Sequence, residues 1–286
     1  MRRVQDALER SLEVPERPAR IVSLVPSVTE LLFDLGAGDR VVGVSRYCTE
    51  PANGLGERAR VGGQKDPELE AIAALAPDLV LAVKEENLRG DVEAMEARGL
   101  QVYVADVRCV EDALALVGEL SDLVGAEAAL ADAVGGAVRA GVARARELAG
   151  SHAPVPTFCP VWRDPWISVG PDTYAWDVLR LCGATPVIAG ARGDRRYPKV
   201  RLEEIRAARP WLALLPDEPY AFGEADVAEL GAWVQAVPVD GKLIGWYGRR
   251  TGSIVELAVR IAAAARPSGT RRDVDEPPGP RGTVLS

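Results

Sequence analysis

Apolar positions along the chain recur with two periods. Runs at Ile21–Val25, Val41–Val44 and Gln101–Val104 are short, β-branched and bounded by turn residues, and they predict buried strands. Between them lie helical stretches: one carrying Leu31, Leu32 and Leu35, one near Asn87–Arg98, and one from about Val110. Ser27 is placed to N-cap the first of these, with Gly36 and Gly38 closing it. Alternating strand and helix is a βαβ pattern and implies a mainly parallel sheet. Residues 1–18 predict a short helix and a proline-bearing lead-in.

The pattern occurs twice. Leu69–Leu81 (LEAIAALAPDLVL) and Leu202–Leu214 (LEEIRAARPWLAL) share seven of thirteen positions at an offset of 133. Each copy reads as a short amphipathic helix, a proline stop and a buried strand. Between the copies, the proline-free segment from about Glu127 to Ala149 puts Leu130, Val134, Val138, Val142 and Leu148 on or near one helical face. Gly135, Gly136 and Gly141 weaken it by roughly 1 kcal/mol each relative to alanine in an exposed helix, yet a long connecting helix is expected. A second lobe follows, from Val155–Val161 through helices near Asp172–Cys182 and Glu224–Gln235 to a last helix from about Gly252 to Ala265. The fold class is therefore two similar α/β lobes with mainly parallel sheets, bridged by one long α-helix. The divisions are 1–18, 19–126, 127–150 for the bridge, 151–266, and a disordered tail at 267–286.

Composition narrows the function classes. With 34 Lys and Arg against 42 Asp and Glu, a net charge of −8 argues against a nucleic-acid partner. No run of 18 apolar residues exists, so no membrane insertion is expected. Asp6, Glu9, Arg10 and Glu13 interrupt the N-terminal stretch, which does not read as a secretory signal, and the protein is expected in the cytoplasm as a monomer. Cys48, Cys109, Cys159 and Cys182 lack metal-ligand spacing and read as free thiols in a reducing compartment; His152 is the sole histidine. No metal site, intrinsic cofactor or catalytic residue is expected. No GxSxG, P-loop or GxGxxG motif occurs, and the adjacent Glu85 and Glu86 are expected to face solvent.

Several segments resemble one family. The opening RIVSLVPSVTELLFDLGAGDRVVGVSRYC, the segments LEAIAALAPDLVLA and YPKVRLEE, and the closing VDGKLIGWYGRRTGSIVELAVRIA are similar to the helical-backbone substrate-binding proteins of ABC importers, the cobalamin- and siderophore-binding type. The resemblance covers about residues 19–266. It implies non-catalytic binding of a corrinoid or a related metal chelate, such as a ferric chelate, in a cleft between lobes that move little, with an importer permease as partner. It also implies that Glu70 and Glu203 are the two docking glutamates; as first-turn helix residues they equally suit the helix dipole. Departures are the missing export signal, and Gln64 and Val83 where cobalamin binders carry tryptophans. The alternatives are a cytoplasmic protein that binds or senses a small anionic metabolite, and an enzyme on this scaffold.

Candidate ligand contacts fall in loops that leave predicted strands. Trp162, Arg163 and Trp166 follow a C-lobe strand, where α/β proteins bind ligands. Trp246, Tyr247, Arg249 and Arg250 follow the Asp240-Gly241 turn, and Tyr197 precedes the second repeat. Stacking and guanidinium groups together suit a conjugated, partly anionic ligand. Arg46, Tyr47, Lys65, Lys84 and Asn87 would add cations and an aromatic from the N-lobe. The cleft is expected to be lined by Tyr47, Trp166, Tyr197 and Trp246.

Overall fold

The chain is described here from a computed structural model covering residues 1–188 and 196–265; the expected disordered tail lies outside the described residues. The chain opens with a hairpin, β1 (Arg2–Gln5) and β2 (Ser11–Val14), instead of the expected helix. Period-2 patterning decides this: Leu12 and Val14 are buried while Ser11 and Glu13 face out. Asp6 fixes the turn by accepting from the Leu8 and Arg10 backbone N–H groups, both at 3.0 Å. The turn also guards a sheet edge, where the Ala7 N–H donates to the Val104 carbonyl at 3.0 Å and Arg10 to the Val102 carbonyl at 3.0 Å.

The N-lobe sheet consists of β3 (Ile21–Ser23), β4 (Val41–Val44), β5 (Ala59–Arg60), β6 (Leu79–Val83) and β7 (Val102–Ala105). All are parallel, in the order β5-β4-β3-β6-β7. Its helices are α1 (Pro26–Asp34), α2 (Leu69–Ala74), α3 (Arg89–Glu96) and α4 (Val110–Val124). Ser27 does not cap α1. Val25 holds the cap position and Pro26 the first turn, where a missing N–H and a preset φ are harmless, so Ser27 is buried inside the helix.

Helix α5 (Ala128–Ala149) is the expected bridge, 22 residues and so roughly 33 Å long. In the C-lobe, β8 (Val155–Phe158) leads into the antiparallel pair β9 (Pro160–Trp162) and β10 (Ile167–Ser168). With β11 (Ala184–Pro186), β12 (Leu212–Pro216) and β13 (Gln235–Val239), β8 forms a parallel sheet in the order β11-β8-β12-β13. The helices are α6 (Tyr174–Leu181), α7 (Leu202–Ala207), α8 (Glu224–Gly231), α9 (Lys242–Gly245), α10 (Arg249–Ser253) and α11 (Val255–Ala264).

The two sheets repeat one plan. In each, the first strand of the lobe is flanked on one side by the repeat strand and then by the next strand: β3-β6-β7 and β8-β12-β13. Ile72 and Ile205 are both fully buried, and Ala76 and Arg209, ahead of the two prolines, share left-handed φ values of 42° and 49°. Alternate strand residues serve different cores. Leu79, Leu81, Leu212 and Leu214 join one core that runs through both lobes and includes α4, α5, α6 and α11. Val80 and Ala82 face a separate core under α2 and α3, and Ala213 and Leu215 one under α7 and α8.

The bridge glycines differ in role. A Cβ on Gly141 would lie 1.9 Å from the Gly252 carbonyl oxygen, so this glycine lets α5 and α10 touch backbone to backbone, whereas a Cβ on Gly136 meets nothing. Gly141→Ala is therefore expected to destabilise by about 1–3 kcal/mol despite better helix propensity. Gly136→Ala should instead be stabilising, by up to about 1 kcal/mol. Chemical denaturation of the two variants checks the contrast.

Candidate functional site

Ligands of parallel α/β sheets bind beyond the carboxyl ends of the strands. There the N-lobe supplies Arg46 and Tyr47 after β4, Lys65 after β5, and Lys84, Glu85 and Glu86 after β6. The C-lobe supplies Trp162 at the end of β9, Glu218 after β12 and Lys242 after β13. The two sets meet. Lys242 Nζ donates to Glu50 Oε1 at 2.8 Å, Arg196 pairs with Glu85, and the Tyr197 phenol also hydrogen-bonds to Glu85. Arg250 holds Glu30 through two hydrogen bonds of 2.8 and 2.9 Å.

The aromatics divide. Tyr47 is 56% exposed, Trp162 44% and Tyr197 41%, so these three present faces to solvent. Trp166 is only 8% exposed and is not a cleft wall: it stacks on Phe222 at 5.8 Å in the C-lobe core, because the β9–β10 turn folds it back over its own sheet. Trp246 and Tyr247 are also buried. The Trp246 indole donates to Glu218, and Lys242 sits 5.2 Å from its ring.

The expected free cations are mostly neutralised within the chain. Arg46 pairs with Asp66 at 2.7 Å, Lys84 with Asp106 at 3.0 Å and Arg249 with Asp34 at 3.4 Å. Arg163 is clamped by Asp226 and Glu229. Asn87 is a strut: its amide donates to the Gln64 carbonyl at 2.9 Å, and its oxygen accepts from the Val83 N–H at 2.9 Å. Lys65 remains exposed, with Glu86 as its charged neighbour.

What fills the junction instead is acid. Glu85 and Glu86 do not face open solvent; both are half-buried between the lobes. Burial pushes the Glu86 carboxyl above its ordinary value, helped by Glu85 and by Glu218 across the cleft and opposed by Lys65. Burial likewise raises Glu218, against the Trp246 hydrogen bond. These acids follow β6 and β12 directly, which is the signal in the sequence that marks them.

Among the described residues one set of metal-ligating atoms converges, Cys109, Glu111 and Asp177, all within 4.8 Å. Its members are already engaged: Asp177 accepts from the Val110 N–H at 2.9 Å, and Glu111 pairs with Arg146. His152 sits apart, with Nδ1 2.9 Å from the Ala153 carbonyl. The four cysteines are free.

The model of the periplasmic binding protein family matches residues 21–216. The chain belongs to that family. It is 26% identical over 253 residues to a vitamin B12-binding protein of Vibrio cholerae serotype O1, covering 87% of this chain and 90% of that one. Its fold superposes on the periplasmic vitamin B12-binding protein BtuF of Vibrio cholerae with a TM-score of 0.76 at 22% identity, over 87% of this chain and 98% of the other. The periplasmic haem-binding protein RhuT of Roseiflexus sp. RS-1 gives 0.75 at 22% identity, over 86% and 99%. The family is one of binding proteins for small ligands, and the chain is such a protein.

The cytoplasmic expectation is overturned, because the family and these solved structures are periplasmic. It rested on the first residues of the chain, and Arg2–Val14 turn out to be a folded part of the N-lobe. The reducing compartment goes with it. Unpaired thiols survive without one when burial keeps them protonated, and Cys159 and Cys182 are both pushed up to about 12.

The raised Glu86 carboxyl has a stability consequence. Its folded value lies above the ordinary 4.5, so the native state binds the proton more tightly than the unfolded chain. The associated stability is present below 4.5 and lost as pH rises through the folded value. Glu86→Gln should therefore melt at a higher temperature than the parent near neutral pH, with the gap closing in acid. Thermal melts across pH check this.

Proposed function

We propose that this protein captures a corrinoid between its lobes and delivers it, as a monomer and without catalysis, to an ABC importer permease. The observation that carries this reading is the set of side chains at the lobe junction. Three aromatics, Tyr47, Trp162 and Tyr197, are exposed, and at the junction the acids outnumber the free cations. A conjugated macrocycle stacks on such faces. Carboxylates that accept hydrogen bonds suit a neutral, amide-decorated rim, while the anionic rim of haem or of a catecholate chelate would meet like charge. The metal arrives inside its chelator. The vitamin B12-binding relatives support the same ligand class.

Titration with cyanocobalamin and with haemin, followed by visible absorbance, tests the reading. One corrinoid per chain and clearly weaker haemin binding are expected. Tight haemin binding with no cobalamin binding would replace it.

Glu70 and Glu203 are the proposed docking residues. Both are exposed in the first turns of α2 and α7, one per lobe. In a βαβ unit the helix runs back along the sheet, so its N-terminus lies at the strand ends that hold the ligand. Glu70 presently pairs with Arg98 at 2.8 Å, a contact a permease arginine would exchange. Exposed pairs contribute about 0.2–1 kcal/mol each, so the double charge reversal is the informative variant. It should leave corrinoid affinity unchanged and weaken permease binding; unchanged transport would remove the assignment.

A further inference from the structure

The ion pairs that join the two lobes are not alike. Arg250 holds Glu30 with two hydrogen bonds of 2.8 and 2.9 Å, and the Glu30 side chain is only 5% exposed. A two-point contact on a buried carboxylate is a strut, because breaking it strands a charge away from water. Arg196 is likewise held at more than one point, pairing with Glu85 and donating to the Asp172 carbonyl at 2.6 Å. Lys242 and Glu50 instead share a single 2.8 Å hydrogen bond, and their side chains are 21% and 26% exposed. Such a pair contributes little and parts readily.

Both halves of that pair stand on fixed backbone. The other Glu50 oxygen accepts from the Ala52 N–H at 3.2 Å, and Arg60 grips the same loop through the Cys48 carbonyl at 2.6 Å. Lys242 opens α9, where its N–H donates to Asp240 at 2.9 Å and the Gly241 N–H to Asp217 at 2.8 Å. The movable part is the four-carbon lysine stem. It has a second resting place, since the ammonium already lies 5.2 Å from the centre of the Trp246 ring. Glu50 has a second partner as well, with Oε1 4.0 Å from Arg250. Each charge therefore keeps a favourable neighbour when the other leaves.

The pair also stands where a ligand has to pass. Glu50 follows β4 in the N-lobe and Lys242 follows β13 in the C-lobe, so their bond joins two strand-end loops, the ligand-binding edge of α/β sheets. A flat ring set between two groups needs about 3.5 Å on each face, about 7 Å in all. The 2.8 Å contact leaves no such gap. Swinging the lobes apart would expose the apolar core that they share, so parting two side chains is the smaller change.

We propose that Lys242 is a bolt across the cleft: its ammonium leaves Glu50 as a ligand enters and returns after release. The Glu50–Lys242 pair then governs the rates of binding, while Glu30–Arg250 keeps the walls in place. The proposal rests on the reading that the ligand is captured between the lobes, and adds how it gets in. Because the bolt competes with the ligand, apparent affinity falls by the fraction of molecules in which it is open.

The test follows cyanocobalamin binding by stopped-flow tryptophan fluorescence in the full chain, Lys242→Met, Glu50→Gln and the double variant. Each single variant should bind roughly two- to fivefold faster, the scale of a partly exposed ion pair, and correspondingly tighter. The double variant should be no faster than the singles, because the second change removes nothing further. Added salt should quicken the parent and leave Lys242→Met unchanged, since the ligand is neutral. Thermal melts confirm folding; Lys242→Met should melt close to the parent, whereas Glu30→Gln, which breaks the strut, should melt lower. Unchanged rates in both single variants overturn the bolt. Slower and weaker binding by Lys242→Met also overturns it, and makes Lys242 a ligand contact. If haemin binds and cyanocobalamin does not, the corrinoid reading falls, and the haemin rate of the double variant, whose net charge is unaltered, decides the bolt. If neither binds, both fall.

Discussion

The lobes keep their relative position because a single apolar core passes through both of them. Leu79 and Leu81 on the N-lobe sheet and Leu212 and Leu214 on the C-lobe sheet contribute to one cluster with Val138, Val142 and Ala145 of the bridge and Leu257 and Ile261 of the last helix. Opening the cleft by rotating one lobe would expose part of this core, at roughly 25 cal/mol for each Å² of apolar surface. The glycine contact between Gly141 and Gly252 belongs to the same constraint. It brings two backbones so close that neither helix can slide without losing its packing. A binding site built on this frame works with nearly fixed walls.

Fixed walls change what electrostatics has to do. Glu50 with Lys242, Asp34 with Arg249 and Glu30 with Arg250 link the lobes around the cleft. Glu30 is almost wholly buried, so this pair fixes geometry more than it adds stability. Once these cations and those of the loops are neutralised by their own neighbours, the charge left at the junction is carried by acids. The negative net charge of the chain and the acids at the junction then carry the same sign.

The same frame tolerates groups that are poorly satisfied. Glu86 and Glu218 are both carboxyls raised by burial. Packing from both lobes holds them in place. Stability given up at a rigid site is the usual trade for a site prepared to meet a ligand.

Much of the architecture was legible in the chain. The offset repeat, read as helix, proline stop and buried strand, appears as α2–β6 and α7–β12 at equivalent positions of two parallel sheets. Local periodicity is enough for this, because each element buries one face of its own. The opening hairpin was missed although its alternation was there to see: over so few residues charge obscured the period, and contact with β7 stabilises it. The site was less legible. Tyr47 and Trp162 were readable as residues that follow strands or lie in the long loop, Tyr197 as a residue of the family-like segment ahead of the second repeat, and all three are exposed. That Trp166 turns inward, that the cations are paired and that Glu85 and Glu86 meet residues more than a hundred positions away were decided only by tertiary structure. Sequence by itself determined the elements, because hydrophobic burial acts locally and periodically. Which charges neutralise one another depends on distances of a few ångströms between distant segments, and those exist only once the chain has folded.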